Sequence, residues 1–252
     1  MLISRRFLLR RSKMLRFLDE LEKTSGKAKS LYISSGSPSP EVKDLLQKAL
    51  AEQDIPAGMS ELAVSSKTGA ILFWGASQRC IVLPPFPVTE KYLAQGYDVE
   101  PLRSLLQYDF SLALVLIRLS SYAIGICQGE NLIDSKVGTA YIHSRHKKGG
   151  SSQHRFERHR EKQIEYFLQR VCGHIKERLE PHAHTLDYIV YGGAKTTILS
   201  LQKKCSFLNK FYDRTLPPLL TISEPNRVVL EMAISQAWSS SLTEWHDNEI
   251  SS

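Results

Sequence analysis

The chain has 252 residues, 33 Lys and Arg against 26 Asp and Glu, and a formal charge of +7. With 42% hydrophobic and 23% charged residues it has a globular composition, which excludes a disordered chain, a collagen-like chain and a pure coiled coil. The length suits about one to two domains, either of which can bury a full core. The moderate basic excess points to an anionic partner, nucleic acid before a membrane surface, and says nothing about fold.

Residues 1–13 are basic, and no acid occurs before Asp19. Three readings stand. One is a basic amphipathic helix, with Phe7, Leu8, Leu15, Leu18 and Leu21 at helical spacing. Another is an organelle-targeting segment. The third is a misplaced start codon, with Met14 the next candidate. The helix is the expectation. The apolar runs are too short for a secretory core or for the ~18–20 residues of a membrane span. Residues 31–34 read as a short strand. Pro40 opens a helix whose stripe is Val42, Leu45, Leu46 and Leu50. Residues 61–66, 70–74 and 79–83 read as strands, the last two joined by a hairpin-length turn at 75–78. Pro84, Pro85 and Pro87 stop the sheet, because proline has no N–H to donate. A helix is expected at 101–106, inside a connecting stretch that marks a domain boundary. The division is a small N-terminal α/β domain over 1–107, a second domain over 108–245 and a polar tail over 246–252.

The second half is the more legible. Residues 112–119 are a near-continuous apolar run, as a buried central strand should be. Strands at 122–128 and 132–143 follow, around a hairpin loop at 128–131. After a Gly/Ser stretch comes a long helix over 153–179, with Ile164, Phe167, Leu168, Val171, Ile175 and Leu179 as its stripe. A strand at 186–191, a helix at 196–208, a strand at 219–222 and a helix at 226–239 complete the order β-β-β-α-β-α-β-α. That order predicts a ribonuclease-H-like mixed-sheet domain, which by itself assigns no chemistry. Gly192 and Gly193 read as a tight turn rather than a phosphate cradle.

Residues 143–162 carry the chemistry. Seven Lys and Arg stand there against two acids, with four His. Arg145, Lys147 and Lys148 precede a loop, and Arg155, Arg158, Arg160 and Lys162 follow on the first helical turns. So placed, they suit salt-dependent contact with several phosphates. The helix N-terminus adds free N–H groups and partial positive charge. Between them lie Gly149, Gly150, Ser151, Ser152 and Gln153, with no apolar anchor. The glycines permit close approach of the backbone to another molecule, and Ser152 is a plausible N-cap.

This stretch, Lys147 to Gln153 followed by His-Arg-Phe-Glu-Arg-His-Arg-Glu-Lys-Gln, resembles the Gly-Gly-Gln loop and adjoining helix of the class-1 peptide release factors of eukaryotes and archaea. It is more similar still to the Vms-type release-factor-like family. Those proteins are peptidyl-tRNA hydrolases that free nascent chains from stalled large ribosomal subunits, and they carry Gly-x-x-Gln variants of the loop. A bacterial member is expected. The resemblance spans the second domain and implies its ribonuclease-H-like order. It implies hydrolysis of the ester joining peptide to tRNA, with Gln153 placing the water. Gly149 and Gly150 would let the loop enter the peptidyl-transferase centre, and Ser151 and Ser152 would supply length. Arg145, Lys147, Lys148, Arg155, Arg158, Arg160 and Lys162 would hold ribosomal RNA and the tRNA end. The implied partners are the large ribosomal subunit, peptidyl-tRNA and ribosomal RNA, in the cytoplasm, with no membrane and no metal or organic cofactor. Two serines separate Gly150 from Gln153, and no segment resembles a codon-reading domain, so the resemblance favours rescue over stop-codon termination.

Other readings are weaker. Cys172, His174, His182 and His184 form a C-x-H…H-x-H pattern, but residues two apart on a helix do not share a face. A nuclease would need clustered carboxylates, and the strands at 112–119 and 122–128 contain no Asp or Glu. Only Asp109, Glu130, Asp134 and Asp187 lie near strand ends. Cys80, Cys127, Cys172 and Cys205 make no C-x-x-C pair and read as reduced thiols. The serious alternative is a non-catalytic ribosome- or RNA-binding module that uses the same basic loop and helix.

Overall fold

A computed structural model of the chain describes residues 2–50, 54–143 and 151–247, without the side chains of Leu2, Ile3 and residues 151–154. The single N-terminal helix expected from sequence is corrected. Arg10 is extended and divides the segment into strand β1 (Leu2–Leu9) and helix α1 (Arg11–Glu22). The cause is a distant partner. β1 pairs antiparallel with β11 (Ser240–Asp247), in register from Leu2 with Asp247 to Leu9 with Ser240.

The chain next forms β2 (Ala28–Ile33), α2 (Ser39–Leu50), α3 (Met59–Ser65), β3 (Ala70–Gly75), β4 (Arg79–Leu83), β5 (Tyr92–Gln95) and α4 (Glu100–Gln107). The strand expected over 61–66 is helix α3. Its buried pair, Met59 and Ala63, is spaced i, i+4. The first sheet runs β1-β11-β4-β3-β2-β5, every pair antiparallel. Met14, Leu18 and Leu21 of α1 and Leu102 and Leu106 of α4 pack on one core with Ile71, Phe73 and Val82. Val42 and Leu46 of α2 and Met59 of α3 pack on the other, with Leu31, Leu72 and Ile81.

The second sheet is built from β6 (Ser111–Arg118), β7 (Ser121–Gln128), β8 (Asn131–Thr139), β9 (Tyr188–Gly193) and β10 (Thr215–Leu220). Its order is β10-β9-β6-β7-β8. β6, β7 and β8 form an antiparallel meander, whereas β9 is parallel to β6 and β10 parallel to β9. The glycines read as a turn, Gly192 and Gly193, are instead the last residues of β9. Helix α5 (Ser151–Leu179) and helix α6 (Lys195–Lys204) share a core with Val115, Ile124 and Ile189. Beyond α6 the chain tightens into a 3-10 helix at Ser206–Arg214. Helix α7 (Arg227–Ala237) brings Leu230 against Gly125 of β7.

Two compact units result. One is the chain through Tyr108 together with Trp238 onward, and the other is Asp109–Ala237. The expectation that 108–245 forms one domain is therefore corrected over 238–245, and of the expected polar tail over 246–252 His246 and Asp247 end β11 while 248–252 lie outside the described residues. β11 also pairs with β4, so the chain returns to the first sheet after α7. In that unit the buried Trp238 ring meets Phe86 edge-on, and Trp245 lies beside Trp74. Among the described residues no helix is long and apolar enough to cross a membrane.

Candidate functional site

Helix α5 changes character along its length. Phe167, Leu168, Val171, Cys172, Ile175 and Leu179 are buried against the second sheet. Each such apolar side chain stabilises by roughly 1.5–3 kcal/mol over leaving it exposed. From Arg155 to Tyr166 no residue is buried. The C-terminal half thus anchors the helix, and the N-terminal half displays side chains to solvent. A 29-residue helix is about 43 Å long, so the exposed half extends over roughly 20 Å.

Specific polar contacts hold this arrangement. Arg178 pairs with Asp134 of β8, 3.2 Å to each carboxylate oxygen. Arg170 donates to the Thr139 carbonyl at the end of β8. Beyond β8 the chain runs beside the helix. The His143 backbone N–H donates to Gln163 Oε1 at 3.1 Å, and Arg160 Nε donates to the His143 carbonyl at 2.9 Å. Glu165 is bridged to Lys204 of α6. Its carboxyl lies below the ordinary range because Lys204 donates a hydrogen bond to it and adds a favourable charge. A carboxyl lowered by folding contributes stability that is full above its unfolded value and lost as the pH falls through the folded one. Both groups are exposed, so the contribution is small. Glu165→Gln should lower the melting temperature slightly at pH 7 and leave it unchanged at acid pH, which thermal melts at both values would check.

The expected site residues fall into three groups. Arg145, Lys147, Lys148, Gly149 and Gly150 lie outside the described residues. Ser151, Ser152 and Gln153 form the first residues of α5, so the helix begins two residues before the expected start and Ser152 is not its cap. Arg155, Arg158 and Lys162 are exposed on the helix, and Arg160 is part-buried through its bond to His143. The first turn of α5 contains no acid. Its N–H groups and partial positive charge are therefore not offset from within that turn. Tyr141, His143 and His159, which carried no weight in the sequence, come together beside these cations.

The residues of the weaker readings have other roles. Cys172 is joined to Cys205 in a disulfide, contrary to the expectation of reduced thiols. His174 stacks on Tyr122 and pairs with Glu177, whose carboxyl this lowers. Asp187 accepts the Ser111 N–H, and Asp134 serves Arg178. Among the described residues no three metal-ligating side chains gather. The remaining thiols, Cys80 and Cys127, are buried, and burial pushes Cys127 up to about 12.

The mixed-sheet unit built around α5 coincides with a release-factor-like domain. The sequence pattern of the Actinobacteria/chloroflexi VLRF1 release factor family matches residues 111–243. The chain belongs to that Vms-type release-factor-like family. Peptide chain release factor subunit 1 of Aeropyrum pernix is 25% identical over 209 residues, covering 72% of this chain and 56% of that protein. The chain thus spans little more than half the length of that relative. The crystal structure of an archaeal translation termination factor, aRF1, aligns with 91% of this chain and 73% of its own, at 18% identity and a TM-score of 0.41. The structure of the Vms1 mitochondrial localization core aligns with 92% of this chain and 95% of its own, at 13% identity and a TM-score of 0.46.

Proposed function

We propose that this protein is a ribosome-rescue peptidyl-tRNA hydrolase, which releases nascent peptides from stalled large ribosomal subunits with its Gly-Gly-Ser-Ser-Gln segment. One observation carries the reading. The segment ends in the first turn of a helix whose exposed half bears Arg155, Arg158 and Lys162 and whose first turn has no acid. Membership of a release factor family supports the proposed reaction class. The ribonuclease-H-like reading of the second unit belongs to the same proposal. It is supported by the order β8-β7-β6-β9-β10, with a meander followed by two strands parallel to β6.

In this mechanism water attacks the ester carbonyl that links peptide to the terminal ribose of tRNA. The carbonyl oxygen gains negative charge in a tetrahedral intermediate. Collapse breaks the bond to the ribose oxygen, which takes a proton, and leaves a free peptide carboxyl group. The Gln153 side chain positions the water, and backbone N–H groups of the first turn of α5 face the oxyanion. The two glycines admit the segment where a Cβ would obstruct it. Arg145, Lys147, Lys148, Arg155, Arg158, Arg160 and Lys162 hold RNA phosphates, which positions the loop without reading sequence. The ribosome supplies the rest of the site, so the isolated protein is inert.

The test is release of labelled peptide from purified large subunits that carry peptidyl-tRNA. Binding to the subunits without release would favour the non-catalytic module. A second measurement addresses the cations. Arg155→Gln with Arg158→Gln should weaken subunit binding and flatten its dependence on log salt by roughly 1.5, since each lost phosphate contact removes about 0.7–0.9 from the slope. An unchanged slope would take both arginines out of the interface.

A further inference from the structure

We propose that Tyr141, His143 and His159 form a stacking platform for an unpaired RNA base beside the basic segment. The proposal rests on the reading that this end of α5 faces RNA, and not on hydrolysis. Three rings adjoin. Tyr141 meets His143 edge-on with centroids 4.9 Å apart, and His143 lies 5.6 Å from His159. Tyr141 is 78% exposed, among the most exposed of the large hydrophobic residues described in the unit. It lies outside the hydrophobic core of the unit, whereas its neighbours Ala140 and Ile142 are partly buried against that core.

The platform is built in advance. His143 is clamped to α5 on both sides of its backbone, by Gln163 at its N–H and by Arg160 at its carbonyl. Little ordering therefore remains to oppose binding. The Ala140 N–H donates to the Ser120 carbonyl at 2.7 Å, which fixes the residue before Tyr141. The surrounding charge selects the occupant. Arg155 is exposed on the same helix four residues before His159, a spacing that shares its face, and the Arg160 guanidinium reaches the His143 carbonyl. A planar aromatic face beside guanidinium groups suits a base whose adjoining phosphate is neutralised, and it repels a basic peptide. Stacking tolerates any base, so the platform adds affinity and holds position without reading sequence.

The test uses the full chain and two probes: purified large subunits, and a single-stranded RNA oligonucleotide containing 5-iodouridine. Tyr141→Ala should bind both about tenfold more weakly with an unchanged salt slope, because a ring and not a charge is lost. Tyr141→Phe and Tyr141→Trp should bind as the unmodified protein does, and the photocrosslink from 5-iodouridine should map to Tyr141. Unchanged binding by Tyr141→Ala overturns the platform. So does a flattened slope, or a Phe variant as weak as the Ala variant. Peptide release separates this proposal from the hydrolase reading. If no variant releases peptide and Tyr141→Ala still weakens RNA binding, the platform stands and the hydrolase falls.

Discussion

Gln153→Ala is expected to bind large subunits as the unmodified protein does and to release peptide at least about 10²-fold more slowly. Loss of a single positioned donor in an acyl-transfer site has an effect of about 10²–10³ in rate. Binding should survive because the residue is uncharged and the proposed phosphate contacts are assigned to its neighbours. The backbone and the side chain can be separated. Gln153 is the third residue of α5, a turn whose N–H groups have no intrahelical acceptor. Gln153→Ala keeps that N–H, and Gln153→Pro removes it at a position where the helix does not need it. A Pro variant slower than the Ala variant assigns part of the rate to the backbone. Single-turnover release at saturating protein, beside subunit pelleting, checks both. Release by Gln153→Ala at the unmodified rate would overturn the mechanism.

Gly193→Ala is expected to destabilise the second unit by about 3–5 kcal/mol. Gly193 closes β9 with φ +121°, where side chains are rarely tolerated, and an added Cβ would stand 2.0 Å from the backbone oxygen of Ile117. That neighbour is strand β6, paired with Gly193 in register. It cannot swing aside as a flexible side chain would. Backbone strain of this kind costs about 1–3 kcal/mol, and forced overpacking adds a similar amount. Gly173→Ala is the control. Gly173 lies within α5 with nothing within 4 Å of an added Cβ. It should stabilise by about 0.5–1 kcal/mol, as Ala does over Gly inside a helix. Denaturant midpoints, read with unchanged slopes, should move in opposite directions for the two variants.

Much of the second unit is legible in the sequence because its elements are locally patterned. The apolar run at 112–119 is β6, buried on both faces along Leu112 to Ile117. The stripe from Phe167 to Leu179 is the buried side of α5. The family resemblance was legible for a related reason. It rests on contiguous residues, from Lys147 to Gln163, whose order needs no fold to be read. Family membership bears it out.

Other features depended on partners far away in the chain. Residues 2–9 carry apolar spacing that suits a helix, and they became a strand because Ser240–Asp247 offers an unpaired edge more than two hundred residues later. The same pairing moved residues 240–245 out of the expected second domain. Cys172 and Cys205 became one disulfide because α5 lies beside the end of α6. Tyr141, His143 and His159 met because the chain beyond β8 turns back along α5. The sequence by itself determined where most elements of regular period lie and which segment carries the family resemblance. Both are written in neighbouring residues, through the alternation of apolar and polar side chains and the order of a motif. The tertiary structure alone decided which edges pair and which side chains meet across turns. Those follow from chain closure, where the free energy comes from contacts between residues that no local pattern connects.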